Sequence, residues 1–362
     1  MNDVDFDPVV AAVQSNCHIA DERHAGDMTL CIYLLQMREF YRWESGLAFG
    51  APMPRDAIGA WIAERELLWA SLAAQDFVPL PCGRGASAIE PFDVEAVNAC
   101  LLPRGMVYGA GLVGGGRPVF FLAELLGQER RDGLDVFTAG RELARGLLAP
   151  PAMLGGGERG PVLLRQASLA RWCWERFEAY TLRPVPGSAM HAVVQAYGLD
   201  RDFNAALPRC VAEQGETLVL HEMGEHLAGR RLGAQWAAMR LSLPTRRADL
   251  HARAVRDHLA DLGLTLPTLL DRGADAAIHF WFANFDGLRS LLYPALQDAY
   301  ACWVRGDGGA ALRLAAAAGV PHFMRLAQSA LDLHAEGDTL AAAAIENLLT
   351  APSAVCPGWE QG

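Results

Sequence analysis

Lysine is absent from this sequence, and all 31 basic residues are arginines. A Schiff base, a pyridoxal phosphate anchor and the lysine of a phosphate-binding P-loop each require a lysine amine. Those three kinds of chemistry are therefore excluded. The eight cysteines lack the closely spaced pairs of a zinc ribbon or a disulfide framework, so a cysteine-only metal site is not expected.

Long apolar runs and basic patches are missing as well. No stretch approaches the roughly 18 uncharged apolar residues of a membrane span, and the acidic start, MNDVDFDPVV, does not resemble a secretory signal. The formal net charge is −11, and the arginines do not form a patch that could neutralise many phosphates. These absences predict a cytoplasmic protein that binds neither nucleic acid nor membrane.

The N-terminal part of the 362-residue chain combines helical and strand patterns. Apolar residues recur at helical spacing in 27–44 and in 54–76, which predicts two helices. Segment 106–125 instead has two runs rich in Val, Phe and Tyr around a triple glycine, as is typical of a β-hairpin. Segment 149–161 is dense in Pro and Gly and is the best candidate for a linker.

The rest of the chain is helical in pattern, so the predicted fold is mainly α. The predicted helices are roughly 166–182, 188–198, 208–241, 246–262, 273–305, 309–336 and 338–349. We expect an N-terminal α+β part, 1–150, with helices and the β-hairpin, and a bundle-like helical domain, 162–350. Residues 351–362 are expected to form a loose tail.

The strongest functional signal is the string LHEMGEHL at 220–227, which places four metal ligands or proton carriers within six positions. At about 100° per residue on a helix, all four lie on one half of the surface. They are His221, Glu222, Glu225 and His226.

The residues before and after this cluster on the same side are apolar, among them Leu218, Leu232 and Trp236. A helix face exposed to solvent along its whole length would be polar throughout, and would not have apolar residues on both sides of a charged cluster. We therefore expect a helix buried on two sides, with the ionisable groups facing an internal polar cavity. The glycines around the cluster, including Gly224, indicate close approach by another helix or a ligand.

One interpretation of the cluster is a carboxylate and histidine site for iron or manganese in a helical core, as in di-metal bundles. The protein would then be a metal-dependent oxidoreductase that acts on a small-molecule substrate. Glu222 and Glu225 would be ligands, while His221 and His226 would be ligands or proton relays. The usual Glu-x-x-His motif of such bundles is missing.

A second interpretation follows from HEMGEH, which resembles the HExxxH zinc motif of the dipeptidyl-peptidase III family. The resemblance implies a zinc-dependent hydrolase in which His221 and His226 bind the metal and Glu222 is the base. Its i,i+5 histidine pair needs a bulge in the helix, and the family's glutamate-rich second motif has no counterpart downstream. A third interpretation is a non-catalytic binding or assembly protein whose polar cluster fixes helix register, and a homo-oligomer remains open.

Further candidates for the same site lie in SNCHIADERH at 15–24, where Cys17, His18 and His24 could contribute ligands. For Asp21 and Glu22 in the same block we favour a helix-capping role. Together with MREFYRWE, the block resembles an uncharacterised bacterial protein family over residues 15–44, and this resemblance implies no activity.

Three more segments contain candidate ionisable residues, each with a structural alternative. In RWCWERFEAY at 171–180, Glu178 is a candidate metal ligand, whereas Glu175 is expected to pair with a neighbouring arginine. His279 is expected to be a hydrogen-bonded core residue. His251 and His258 are expected to lie on a solvated helix face.

Overall fold

The computed structural model describes residues 6–82, 88–113, 116–155, 160–337 and 340–359. The chain divides into two compact units, Met1–Glu175 and Arg176–Gly362. Within the described residues, no helix combines the length and the apolar character that crossing a membrane requires. The predicted mainly α fold, with a β-hairpin in its N-terminal part, is confirmed, and the hairpin belongs to a larger five-stranded sheet.

Helices open the N-terminal unit. They are α1 (Asp7–Ala25), α2 (Leu30–Glu44), α3 (Arg55–Leu72) and α4 (Val94–Leu101). The two helices predicted from apolar spacing are confirmed as α2 and α3. The expected capping role of Asp21 and Glu22 is wrong, because both residues lie inside α1 and the hydroxyl of Thr29 caps α2.

A five-stranded sheet follows. Its strands are β1 (Met106–Val113), β2 (Arg117–Arg131), β3 (Leu134–Arg145), β4 (Ala152–Leu154) and β5 (Val162–Arg165). The strand order is β1-β2-β3-β5-β4, and all neighbours are antiparallel except the parallel pair β3 and β5.

The predicted hairpin is confirmed as β1 and β2, although Gly114 and Gly115 lie outside the described residues. A second hairpin, β2 and β3, was not predicted. It turns at Asp132 and Gly133, whose φ angles of 46° and 87° are those of a two-residue hairpin turn. Part of the predicted linker, 149–161, belongs to the sheet, because β4 (Ala152–Leu154) lies within it; residues 156–159 lie outside the described part of the chain.

Alternate residues of each strand point to opposite sides of the sheet, and both sides carry buried apolar residues. On one side α1 and α4 pack against the sheet through Val13, Cys17, Val97, Tyr108, Phe120 and Leu122. The other side holds a smaller apolar cluster, which includes Val107, Phe121, Phe137 and Leu163.

The C-terminal unit is built of helices, as predicted. They are α6 (Ala189–Tyr197), α7 (Phe203–Leu232), α8 (Ala234–Leu241), α9 (Arg246–Ala260), α10 (Leu266–Asp271), α11 (Asp275–Ala283), α12 (Gly287–Leu292), α13 (Ala295–Val304), α14 (Ala310–Ala335) and α15 (Ala341–Thr350). Before them, α5 (Gln166–Leu182) crosses the division between the units.

The predicted helix 208–241 is two helices. α7 begins after the cap Asp202 and ends at Leu232, where Gly233 turns the chain with a φ of 76° and a ψ of 177°. Trp236 is fully buried but belongs to α8. Trp236 therefore does not lie on the helix that carries the cluster, and the prediction that it extends the apolar side of that helix is wrong. Leu232 is buried on α7, as expected.

The described part of the predicted tail, 351–359, is anchored to the C-terminal unit and is not loose. Ala354 and Cys356 are buried, and the backbone N–H of Cys356 donates to the carbonyl of Leu292 at 2.8 Å. Residues 360–362 lie outside the described part of the chain.

Candidate metal centre

The HEMGEH segment lies in the middle of α7, where α9 packs closely against it. A Cβ atom at Gly224 would lie 2.8 Å from the carbonyl oxygen of Ala260, so the expected close approach at this glycine is confirmed. Directly after Ala260 the chain widens into a π-helical turn, Asp261–Thr265. Such turns are frequent at functional sites because they re-aim the side chains around them.

His221 makes the central contact between the two helices. Its Nδ1 lies 2.7 Å from Asp261 Oδ1, and its Nε2 lies 3.7 Å from Glu225 Oε1, one turn further along α7. The side chain of Asp261 is 1% exposed and that of His221 is 21% exposed. The hydrogen bond to Asp261 therefore fixes the ring and directs Nε2 towards Glu225.

Two arginines hold the outer oxygens of these carboxylates. Arg256 Nη2 donates to Glu225 Oε2 at 2.7 Å, and Arg289 Nη1 donates to Asp261 Oδ2 at 3.0 Å. Each carboxylate thus gives one oxygen to an arginine and turns the other towards His221. Asp261 is hydrogen-bonded through both oxygens, whereas Glu225 accepts a hydrogen bond from Arg256 and forms an ion pair with His221.

These contacts shift the protonation of the central residues. Burial alone would lower the pKa of His221, but the carboxylates of Asp261 and Glu225 raise it well above its usual value. Burial opposes ionisation of Glu225, yet the hydrogen bond to His221 and the charge of Arg256 hold its pKa well below the usual range. In the absence of a metal ion His221 is therefore the positive partner of these two carboxylates, and a metal ion at Nε2 would take the place of its proton.

Two further carboxyl groups have a pKa near neutrality. Burial, reinforced by the charge of Glu225, raises the pKa of Asp257 on α9 to about 7. The same two causes raise the pKa of Glu222 to about 7. Asp257 also hydrogen-bonds to Glu225, so a proton or a cation is needed to hold these two carboxyl groups together.

His221, Glu225 and Asp257 form a group that could hold a metal ion. Each offers one ligand atom, and these atoms lie within 4.8 Å of one another. Asp261 binds the other ring nitrogen of His221, which is the position that an orienting carboxylate takes behind histidine ligands in metalloproteins. No second group of this kind occurs among the residues that the structure describes.

The remaining residues of the HEMGEH motif lie on the same helix but outside this group. α7 is a regular α-helix throughout the motif, so His221 and His226 point about 140° apart. The bulge that an i,i+5 zinc pair requires is therefore not formed. Glu222 and His226 are both half-buried.

The other predicted ligands lie in different surroundings. His18 is buried in α1, where its ring nitrogens lie 2.9 Å from Arg65 Nη1 and 3.2 Å from Trp69 Nε1. Burial, with a smaller contribution from Arg65, lowers the pKa of His18 to about 4. His24 lies 3.3 Å from Asp27 near the surface.

The predictions for α5 and α11 have separate outcomes. Arg171 Nε lies 3.3 Å from Glu175 Oε1, which confirms the predicted ion pair. Glu178 is half-buried on the same helix and, within the described ranges, belongs to no metal-binding group. His279 is hydrogen-bonded as expected, with its Nδ1 at 2.8 Å from the hydroxyl of Tyr300.

The sequence did not identify α9 as part of the site. This helix carries Asp257, and Asp261 follows directly after its last residue. The prediction that His258 lies on a solvated face is wrong, because its side chain is 0% exposed and stacks on Phe323 at 4.2 Å. The spacing contained this information. Val255, Leu259 and Leu262 fall on the same side as His258, and they mark that side as buried.

Two family models match the chain and together cover most of it. They are described as the N-terminal and C-terminal domains of DUF6866, a family of unknown function, and they match residues 8–160 and 170–352. No curated protein and no solved structure matches the chain. The resemblance to an uncharacterised family, seen in residues 15–44, is confirmed.

Proposed function

The chain belongs to the DUF6866 family, and we propose that it is a metal-dependent enzyme with one iron or manganese ion at His221, Glu225 and Asp257. The observation that carries this proposal is the convergence of one imidazole and two carboxylates from α7 and α9. It is supported by Asp261, which holds the ring of His221 from behind.

The donor set favours iron or manganese over zinc. One nitrogen and two carboxylate oxygens resemble the mixed histidine and carboxylate sets of non-haem iron, and carboxylates are also preferred by manganese. The zinc interpretation needs His226 as a second histidine ligand, and His226 lies outside the group of ligand atoms. An oxidoreductase is accordingly proposed ahead of a hydrolase.

The residues around the ion have distinct proposed roles. Three protein ligands leave coordination positions for a small-molecule substrate, and the ion would supply the redox chemistry. Glu222, which is half-buried and follows His221 directly on α7, is the proposed base that accepts and returns a proton. Arg256 and Arg289 keep Glu225 and Asp261 in place by charged hydrogen bonds.

Metal analysis of the purified full-length chain tests the proposal. We expect one equivalent of iron or manganese in the wild type, and loss of that metal in His221→Ala and Asp257→Asn without loss of helical circular dichroism. The matched control is His226→Ala, from the same helix turn, which should keep its metal.

The other outcomes identify the alternatives. Stoichiometric zinc that is lost in both histidine variants would instead support the HExxxH hydrolase. A chain that binds no transition metal, and whose unfolding midpoint is unchanged by chelators, would contradict the proposal. It would then favour a structural network held by the two arginine pairs.

A further inference from the structure

The N-terminal unit buries a second cluster of charged side chains, centred on arginine. Arg145, Arg165 and Arg171 are 1%, 0% and 8% exposed. Arg145 ends β3 and Arg165 ends β5, and these two strands are parallel. α5 begins directly after Arg165 and carries Arg171 in its second turn. The parallel register ends at Ala139 and Arg165, and β3 continues to Glu142 and Arg145, so the cluster lies just beyond the carboxyl end of the parallel pairing, beside a helix start.

Arg145 and Arg165 share one carboxylate, that of Glu142. Glu142 Oε1 accepts hydrogen bonds from Arg165 Nε and from the hydroxyl of Ser168, both at 2.8 Å. Glu142 Oε2 lies 3.5 Å from Arg145 Nη1. Glu142 is 4% exposed. Two buried guanidinium groups thus have a single hydrogen-bonded carboxylate between them.

The other edges of these two guanidinium groups carry unused donors. Arg145 Nε and Nη2, and Arg165 Nη1 and Nη2, are buried and have no hydrogen-bond partner among the described residues. An aromatic ring covers one face of each group: the ring centroid of Trp43 lies 5.3 Å from Arg145 Cζ, and that of Phe121 lies 4.2 Å from Arg165 Cζ. A buried donor without an acceptor costs about 1 to 3 kcal/mol, and more when it is charged.

Neighbouring acidic groups do not supply the missing acceptor. Glu175 lies against Arg171 at 3.3 Å, and both carboxyl oxygens of Asp21 accept the backbone N–H of Leu147 at 3.0 Å. Burial, followed by the charge of Arg171, lowers the pKa of Arg145 to about 9. The charge of buried Glu39 also acts on Arg145, but its two oxygens are bound by Arg38 and Arg42, so positive charge remains in excess around Arg145 and Arg165.

We propose that Arg145 and Arg165 form an internal binding site for a small oxyanion, either a phosphate or a compact carboxylate. Both ligands present negatively charged oxygens, which the edge of a guanidinium group binds through paired hydrogen bonds. The N-terminal end of α5 adds partial positive charge at the same place. This site lies within the N-terminal unit and is independent of the function proposed for the C-terminal one.

Binding is tested on the full-length chain, purified in a buffer free of phosphate and carboxylates. Inorganic phosphate, malonate and sodium chloride are added separately at equal ionic strength, and the thermal unfolding midpoint is followed. Equilibrium dialysis with radiolabelled phosphate or malonate gives the stoichiometry. We expect a saturable rise in the midpoint and one bound equivalent.

The probes distinguish the two oxyanions and the opposing result. A response to phosphate alone identifies a phosphate ligand, and a response to malonate alone identifies a carboxylate ligand. Equal stabilisation by sodium chloride, which reflects general screening, would overturn the proposal. Absence of saturable binding of either oxyanion to the wild type would overturn it as well.

Substitutions locate the site. Arg145→Lys and Arg165→Lys keep the charge but remove the paired donors, so affinity should fall by about tenfold or more, the loss of one charged hydrogen bond. The matched control is Arg141→Lys on the same strand. Arg141 is 71% exposed and pairs with Glu124, so the control should bind as the wild type does.

A substitution that is expected to raise oxyanion affinity tests the site even if the arginine variants fail to fold. Glu142→Gln retains an acceptor for Arg165 and Ser168 but removes the competing negative charge. It should lower stability in oxyanion-free buffer, and oxyanion affinity should rise by about tenfold. Unchanged affinity in this variant would contradict a site at Arg145 and Arg165.

Discussion

Asp261 shows how one residue determines what its neighbours can do. It is 1% exposed, and its two oxygens bind His221 and Arg289. Burial alone would raise its pKa, but these two positive partners lower it, so the carboxylate stays ionised. An ionised carboxylate behind the ring of His221 orients that ring and increases the basicity of Nε2.

Replacement of this carboxylate should weaken metal binding without displacing a ligand. Asp261→Asn keeps the shape of the side chain but loses the charge, so we expect metal affinity to fall by about 10- to 100-fold. Competitive titration with a chelating dye measures the change. The control is Asp271→Asn, an exposed aspartate that pairs with Arg313. Equal affinities in both variants would contradict the role given to Asp261.

Asp21 is a buried carboxyl group of the N-terminal unit whose protonation is coupled to folding. Burial raises its pKa to about 7, although the hydrogen bond from Leu147 acts in the opposite direction. A raised pKa means that the folded protein binds this proton more tightly than the unfolded chain. The unfolding free energy should therefore fall as the pH rises from about 4 to about 7, and this contribution should then stay constant.

Asp21→Asn should remove that pH dependence, because its amide oxygen still accepts the N–H of Leu147 but carries no charge. The difference in unfolding free energy, variant minus wild type, should increase by about 2 to 3 kcal/mol from pH 5 to pH 8. Urea unfolding at both pH values measures the difference. Asp76→Asn, at a fully exposed position, serves as the control. Parallel curves for wild type and Asp21→Asn would contradict the assignment.

At the scale of elements, the candidate metal centre depends on how closely α7 and α9 approach. Gly224 permits backbone contact with Ala260, and the π-helical turn that follows carries Asp261 to His221. His221 and Glu225 come from one helix, and Asp257 comes from the other. A change in the separation of these helices should therefore alter the site as a whole.

Gly224→Ala tests this dependence on the helix separation. Alanine is favoured over glycine in a helix by about 1 kcal/mol, but the added Cβ would lie 2.8 Å from the carbonyl of Ala260. We expect net destabilisation of about 1 to 3 kcal/mol and weaker metal binding. Denaturant unfolding measures the first effect. Gly263→Ala, where nothing lies within 4 Å of the added Cβ, should not destabilise the fold by overpacking.

At the scale of the whole molecule, the two proposed sites belong to different compact units. The metal ligands lie in Arg176–Gly362, and the arginine cluster lies in Met1–Glu175. The family models divide the chain in a similar region, at 160 and 170. We therefore expect each ligand to stabilise the unit that binds it.

Hydrogen exchange followed by mass spectrometry can separate these two effects. Manganese should slow exchange in peptides from α7 and α9, whereas phosphate should slow it in β3, β5 and the first turn of α5. Sodium chloride at equal ionic strength is the control. Protection by manganese confined to the N-terminal unit would contradict the location proposed for the metal.

Much of the fold could be predicted because its signals are local. Apolar spacing identified α2, α3 and most helices of the C-terminal unit, and the Val, Phe and Tyr runs identified β1 and β2. The dipeptide Asp132-Gly133 is also a local signal, because Asp-Gly favours a two-residue hairpin turn, and it marks the turn between β2 and β3. α1 was missed because its polar residues looked like a capping segment, whereas Asn16, His18 and Asp21 are buried against other elements.

The sequence by itself determined the composition of the HEMGEH cluster and the helix that carries it, because both depend on residues a few positions apart. It did not determine the partners of that cluster. Asp257 and Asp261 are 36 and 40 positions from His221, and a packed helix and a π-helical turn bring them to it. The buried arginines likewise became a cluster only through strand pairing. Contacts between distant segments require the tertiary structure, because no local spacing encodes them.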